Sequence, residues 1–451
     1  MSTFEKQPTI RIDQRTPPEI SGAWPVLGHL LDFNRDRRAL LERGFAEHGP
    51  VFTLKLGPQP VAVLIGTDAQ RLFFSETDRA LNISKPYGFL EAAVGRVLFI
   101  APHETYLEQR PLVQQAFRRQ KMLHYVDVMQ REVQRWLDFL GSEGKVELTG
   151  AINRLVQEVA GRALLGEAFQ AQAGREFWRL YDDISQALDP VLPPHLPLPK
   201  FIRRDRARAR MRDILLPILD ERRRHPEQHD DFLQDFVNYR DEAGKPVDNE
   251  TLLSLLLGLM FAGHETTAGQ AAWTIILLLQ HPEYLARVQA EIDAHLPPGA
   301  PFTPENMRRL EHIAWAVREV ERLRPSADVL LRTVDEPLAV RDYTVPAGWQ
   351  VMTAAEIAHQ LPNLWTNPSQ FDPLRFAPGR EEDRQDRFSL IGFGGGAHKS
   401  TGINFANNEM MVITALLFQQ FEVTLLSSNP GIQRGLGANR PEETWIHYRR
   451  R

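Results

Sequence analysis

One run of sequence, residues 249 to 281, sets the scale of any fold this chain can adopt. Its pattern predicts a single helix, with Asn249 placed to cap it and Leu252 just inside. At about 1.5 Å per residue such a helix approaches about 50 Å, enough to cross a whole domain. Its centre reads Ala262-Gly263-His264-Glu265-Thr266-Thr267, a small pair and four polar residues between apolar flanks. Glycine and two threonines weaken a helix, so this centre reads as a place where something approaches the backbone. A polar stripe facing a water-filled gap is the alternative.

The apolar part, Leu252 to Gly263, is too short to span a bilayer before His264 and Glu265 interrupt it. The start, Met1 to Arg15, carries Glu5, Lys6, Arg11 and Asp13 and has no apolar signal core. A soluble, cytoplasmic protein is therefore expected. The chain is 43% hydrophobic and 25% charged, as packed globular proteins are. A formal charge of −5 gives no drive toward nucleic acid or anionic membrane. A local basic run, Arg203, Arg204, Arg206, Arg208, Arg210 and Arg212, is broken by Asp205 and Asp213. It reads as a solvated helix face, with a docking patch for an acidic redox partner as the other reading. The chain has no cysteine, which excludes disulfides, thiolate nucleophiles and cysteine metal sites.

Residues 17 to 28 (PPEISGAWPVLG) are too rich in proline and glycine for a helix and form an ordered arm or a linker. Residues 51 to 65 alternate and are β-branched, with Gly57-Pro58 as the turn of a hairpin. Helical periodicity dominates from about 103 to 224; Val126, Met129, Val133, Trp136, Leu137 and Leu140 share one face. The proline-broken apolar segment 189 to 199 is a loop. Beyond residue 300, helical runs (304 to 323, 405 to 421) alternate with short strands (338 to 345, 422 to 426). No repeat and no linker divides the chain. The expected fold is mainly α with a small β portion: a proline-rich arm over residues 1–28, then a single domain over 29–451.

The most informative stretch is Phe393-Gly394-Gly395-Gly396-Ala397-His398-Lys399-Ser400-Thr401-Gly402, ahead of Phe405, Ala406 and Glu409 at the start of an apolar helix. Its glycines permit unusual dihedrals and close approach of backbone to a flat ligand. A glycine loop before a helix also suits a phosphate. Lys399-Ser400 resembles the end of a P-loop, yet His398 and Phe393 stand where that motif needs glycine. Gly392, Gly394 and Ala397 fit a dinucleotide fingerprint only loosely, because no buried strand precedes them.

The same stretch resembles the signature of the cytochromes P450, Phe-x-x-Gly-x-His/Arg-x-Cys-x-Gly, at Phe393, Gly396, His398 and Gly402. It departs at the cysteine, which here is Ser400. The resemblance covers nearly the whole chain. Ala262, Gly263, Glu265 and Thr266 match the central-helix motif, Glu319-Val320-Glu321-Arg322 matches Glu-x-x-Arg, and Pro373-Leu374-Arg375-Phe376 matches Pro-x-Arg-Phe. The stretch Tyr87 to Phe99 and the tail Tyr448 to Arg451 look closest to bacterial sterol 14α-demethylase-like members. Glu265 departs from that subfamily, which usually has histidine before the threonine.

The resemblance implies the cytochrome P450 fold, with the long central helix crossing over haem b. The haem would be held non-covalently, since cysteine thioethers are impossible here. It implies a buried charge network of Glu319, Arg322 and Arg375, where the residues alone suggest only an exposed i, i+3 pair. Tyr106, Arg110, Arg332 and His398 become candidates for the haem propionates. Glu265 and Thr266 become the acid–alcohol pair that relays protons during oxygen activation. His264 is left as a polar surface or helix contact. The substrate pocket would be lined from Tyr87, Phe89, Val94, Leu98, Phe99, Leu257, Met260, Phe261, Ala262, Val329, Leu330 and Leu436. Ser400 would face the iron. Serine is a harder, less polarisable donor than a thiolate, so native oxygen activation is expected to be weakened.

The leading functional reading is a monomeric haem monooxygenase scaffold acting on an apolar small molecule, with electrons from a ferredoxin and ferredoxin reductase. With Ser400, carbene or nitrene transfer becomes an expected chemistry. An engineered axial substitution and a natural divergence both account for the serine; retention of every other signature residue favours the first. A haem-containing binding protein without turnover, and a nucleotide-binding protein using the glycine loop, are the alternatives.

Overall fold

Residues 15–98, 100–229, 231–241 and 243–451 are described by the structure, a computed structural model. Phe99 and the first fourteen residues of the proline-rich arm lie outside them. In chain order the first helices are α1 (Leu30–His48), α2 (Thr67–Ser75), α3 (Gly88–Val94), α4 (His103–Ala116) and α5 (Arg119–Leu140). Next come α6 (Leu148–Ala160), α7 (Glu167–Ser185), α8 (Pro199–Arg224), α9 (Phe232–Asn238) and α10 (Asn249–Gln280). The last are α11 (Pro282–His295), α12 (Pro304–Met307), α13 (Glu311–Leu323), α14 (Ala355–Ala358) and α15 (Ile403–Gln420). The strands are β1 (Val51–Leu56), β2 (Gln59–Leu64), β3 (Leu81–Asn82), β4 (Glu143–Glu147), β5 (Val329–Val334) and β6 (Leu338–Val340). They continue with β7 (Tyr343–Val345), β8 (Gln350–Ala354), β9 (Phe421–Leu425), β10 (Ile432–Gln433), β11 (Arg440–Pro441) and β12 (Trp445–Arg450). The fold is mainly helical. No helix among the described residues is long and apolar enough to cross a membrane.

The chain divides into two compact units, Met1–Pro86 with Val329–Ala358, and Tyr87–Asp328 with His359–Arg451. The first unit is built on a five-stranded sheet in the order β1-β2-β8-β5-β3. The predicted hairpin is β1 and β2, paired antiparallel from Val51 opposite Leu64 to Leu56 opposite Gln59. Val61 to Leu64 are fully buried, which is why β2 can lie parallel to β8 in the middle of the sheet. The arm is ordered where described: Glu19 bridges Thr53 and Gly28 bridges Leu56. Gly28 has φ +56°, and a Cβ there would lie 2.4 Å from the Lys55 carbonyl oxygen, so only glycine permits this crossing.

The second unit is wrapped around α10. Asp248 rather than Asn249 is its cap, accepting from the N–H groups of Glu250 and Thr251. Helices α6, α13 and α15 pack on α10. The predicted face of α5 is confirmed by Val126, Met129, Val133 and Leu137, all buried. The run expected to be helical over 304 to 323 is two helices instead. Thr303 and Asn306 form a capping box on α12, the chain turns at Arg308–Leu310, and α13 begins at Glu311. Leu310 is fully buried at this turn, which accounts for the apolar spacing that runs through the break. A three-stranded sheet, β4-β12-β9, takes in the C-terminal tail, where the Tyr448 hydroxyl donates to the Leu140 carbonyl at 2.8 Å. On α8, Arg204 is buried while Arg210 pairs with Glu176 and Arg212 with Glu250, in keeping with a paired, solvated face.

His264 is not on the surface. It is 2% exposed, with Trp178 and Tyr181 of α7 at ring-centroid distances of 5.3 and 5.7 Å. Burial pushes its pKa down to about 4, against a weaker opposing effect of the Asn153 backbone.

The matched Glu-x-x-Arg and Pro-x-Arg-Phe segments meet in a buried network. Glu319, Arg322 and Arg375 are each 0% exposed. Arg322 donates from Nε and Nη2 to the two oxygens of Glu319, both at 2.8 Å. Arg375 Nε donates to the same carboxylate at 3.1 Å. Arg375 Nη1 reaches Glu382 at 2.7 Å and the Thr366 carbonyl at 2.8 Å. The remaining Arg322 donors go to the carbonyls of His359, Pro368 and Gln370, and both guanidinium groups lie over Trp365. Burial raises the Glu382 carboxyl, but hydrogen bonds from Arg380, the Thr366 amide and Arg375 outweigh this and hold it below its ordinary value.

Arg322→Ala leaves Glu319 buried with Arg375 alone, and is expected to cost about 3–5 kcal/mol. Denaturant unfolding checks this; a loss under about 1 kcal/mol would show the network to be dispensable. His264→Phe tests the buried imidazole. The unfolded histidine binds a proton near pH 6.5 and the folded one only near 4, so the native chain loses stability as pH falls between them. The phenylalanine variant should be within about 1 kcal/mol of the parent at pH 7. It should exceed the parent by on the order of 1–2 kcal/mol at about pH 5. Parallel pH dependence in the two proteins would contradict this.

Candidate functional site

The glycine loop runs from Ile391 to the N-terminus of α15. Gly394 and Gly396 have φ +75° and +64°, dihedrals that reverse the chain twice within three residues. The turn Gly396–His398 follows, then Ser400, with Gly402 as the cap of α15. The Ser400 N–H donates to the Phe393 carbonyl at 3.0 Å, closing the loop. Its hydroxyl oxygen accepts from the Gly402 N–H at 3.3 Å. Ser400 is exposed, as are Gly396 and Ala397. An oxygen atom is thus presented at a helix N-terminus, where backbone N–H groups favour an anionic form.

Three of the four predicted propionate donors come together beside this loop. The Tyr106 hydroxyl donates to the Ala397 carbonyl at 2.5 Å. The Tyr106 and His398 rings stand 4.1 Å apart, and the Arg110 guanidinium lies 5.5 Å from the Tyr106 ring centre. The fourth, Arg332, belongs to the first unit, where Nε donates to the Thr77 hydroxyl at 3.1 Å and the guanidinium covers Phe73.

The centre of α10 breaks the burial of its flanks. Leu252 to Leu257 and Ala271 to Leu278 are buried, but Ala262 and Gly263 are exposed, and a Cβ on Gly263 would meet nothing within 4 Å. A helix otherwise enclosed by protein has an open gap against its small residues. The Thr266 hydroxyl donates to the Ala262 carbonyl at 2.7 Å, while Ser326 Oγ donates to the Thr266 carbonyl at 3.1 Å. Glu265 accepts from Ser185 Oγ of α7 at 3.0 Å. Its other oxygen would lie 2.3 Å from a Cβ on Gly437, so a side chain there would displace the carboxylate. Burial, and then the Glu265 charge, push the Tyr181 and Asp182 pKa values up.

Of the predicted pocket residues, Val94, Leu257, Met260 and Phe261 are buried in the core. Tyr87, Phe89 and Leu98 are half-buried against it, and Ala262 and Leu436 are exposed. Val329 and Leu330 lie on β5 of the first unit, half-buried. Phe99 is outside the described residues.

Two residues to which the sequence reading gives no role tie the loop to the charge network. His359 is fully buried; its Nδ1 contacts the Arg322 carbonyl at 3.2 Å, and its Nε2 accepts from the Ile391 N–H at 2.9 Å. Burial holds it neutral, with a pKa pushed down to about 3. Glu321, between the two members of the Glu-x-x-Arg pair, is buried against Gly392. No local pattern marks either residue. Glu409 on α15 is also buried, and burial alone pushes its carboxyl well above the usual range.

These features fit a haem. The open gap at Ala262 and Gly263 suits a flat apolar face, and the loop offers one exposed oxygen as an axial donor. Tyr106, Arg110 and His398 suit its carboxylates. Among the described residues no group of three or more His, Asp or Glu could hold a bare metal ion.

Comparison with known proteins agrees with this geometry. The pattern of the family "Cytochrome P450" matches residues 17–443. Obtusifoliol 14-alpha demethylase of Sorghum bicolor is 30% identical, covering 97% of this chain and 91% of its own. Sterol 14alpha-demethylase of Mycolicibacterium vanbaalenii is 30% identical, covering 90% of this chain and 91% of its own. The retinoic acid-bound cyanobacterial CYP120A1 superposes with a TM-score of 0.86 at 26% identity, over 97% of this chain and all of that one. The fold agrees with these matches, and the chain belongs to the cytochrome P450 family.

Proposed function

We propose that residues 29–451 act as one haem b-binding domain in which the Ser400 oxygen would hold the iron, and that the natural form of this scaffold oxidises an apolar small molecule. The observation that carries this reading is the Ser400 hydroxyl, exposed at the head of α15 where the family has its cysteine. Retinoic acid in the cyanobacterial structure and the sterol demethylase names among the relatives support an apolar substrate. Bound haem supplies a redox-active iron; electrons would come from a ferredoxin and ferredoxin reductase. We read the serine as a substitution for cysteine, and the protein as a monomer of the cytoplasm.

The chain's own residues have definable tasks. Tyr106, Arg110 and His398 neutralise and orient the haem carboxylates. Ala262 and Gly263 leave the face of α10 open. The Thr266 proton, now given to Ala262, becomes available at the gap when the hydroxyl rotates. Glu265 can resupply it once freed from Ser185. Serine pushes less charge to iron than a thiolate, which weakens oxygen activation. Transfer of a carbene or nitrene group from a synthetic precursor needs no proton at this gap and remains available to the Ser400 protein. A haem protein that only binds ligand would turn over neither.

Thr266→Ala and Glu265→Gln separate these chemistries. In a Ser400→Cys background each should lower coupled oxygenation about 100-fold or more. In the Ser400 protein each should leave carbene transfer within about threefold, since no catalysed proton transfer is lost. Product yields with an oxygen donor and with a diazo precursor read both. Equal losses in both chemistries would make these residues pocket walls, and absence of any turnover would favour the binding protein.

A further inference from the structure

The amides just before the signature loop are held by side chains rather than by another strand. The Ile391 N–H goes to His359, and the next two, from Gly392 and Phe393, hydrogen-bond to the Glu321 carboxylate. The fit is close: a Cβ on Gly392 would lie 2.4 Å from Glu321 Cγ, so this glycine serves close approach and not an unusual dihedral. Phe393 in turn accepts the Ser400 N–H through its carbonyl. A carboxyl group on α13 is therefore two hydrogen bonds from the axial position.

We propose that Glu321 is a positioning residue that sets the electrostatic field under the signature loop, so that its protonation state changes the reduction potential of the group that Ser400 faces. This rests on the haem reading above. The groups facing Glu321 are Arg318 on its own helix, Lys399 on the loop, and the two amides; all favour its charged form. Arg318 is shared, since it also pairs with Asp383. Burial is the larger influence and pushes the Glu321 pKa up to about 7. A charge buried near the loop therefore appears as pH rises through neutrality, and a negative charge there favours the oxidised iron.

The test is the midpoint potential of the haem-loaded protein, by dye-coupled spectral titration from about pH 5.5 to about pH 8.5. The parent potential should fall as pH rises, with the fall centred near neutrality. Glu321→Gln should remove that part of the fall and stay near the parent's low-pH value across the range, and Glu321→Asp should restore a pH-dependent fall. Gly392→Ala, which must displace the carboxyl, should reduce it from the other side of the contact. A purely structural role would instead change melting temperature and haem retention while leaving the pH profile of the potential as in the parent. That profile, unchanged in Glu321→Gln, overturns the proposal. A protein that takes up no haem would overturn the haem reading first, so the two failures are distinguishable.

Discussion

The pairing of Glu319 with Arg322 and Arg375 is the constraint on which the site depends. Three charged side chains with no solvent exposure are stable only because nearly every donor and acceptor is used. The network joins α13 to the segment 359–382 through carbonyls of His359, Thr366, Pro368 and Gln370. From there His359 passes the constraint to the Ile391 amide, and Glu321 passes it to the next two. The signature loop is thus fixed from its N-terminal side by charge pairing and from its C-terminal side by α15. A loop containing Gly394, Gly395 and Gly396 would otherwise be free to take many conformations.

What could be read from the sequence was what is local in it. The signature loop, the central-helix motif and the two network segments are contiguous, so their residue types and spacing survive translation into structure. The Glu-Arg pair read alone would have been placed on the surface; only the match to a family pattern moved it inside, and its burial bears that out. The helix cap missed by one residue because Asp248 and Asn249 are both good caps, and the choice depends on which side chain turns back on the amides. His264 was read as a surface or helix contact because Trp178 and Tyr181, which bury it, lie on another helix more than eighty residues earlier. Strands β5 and β8 escaped because β8 is buried on both faces and shows no alternation. His359 and Glu321 carry no signal at all until the fold brings Ile391 and Gly392 to them.

On the proposed assignment, one atom at position 400 sets this chain apart from the signature that it resembles. The Ser400 amide closes the loop on the Phe393 carbonyl, and its hydroxyl faces the Gly402 amide. An oxygen donor there would give the iron less electron density, because it is harder and less polarisable than a thiolate. Thr266 and Glu265, the residues proposed to handle protons, are held by the Ala262 carbonyl and by the Ser185 hydroxyl.

The proposed assignment stands on residue 400 touching the iron. Absorption spectra of the reduced, carbon monoxide-bound protein, compared between the Ser400 chain and Ser400→Cys, test it most directly. A clear displacement of the main band to longer wavelength is expected in the cysteine form, because a thiolate donates more charge to the iron. Identical bands in the two proteins would mean that residue 400 does not ligate the iron, and would contradict the account.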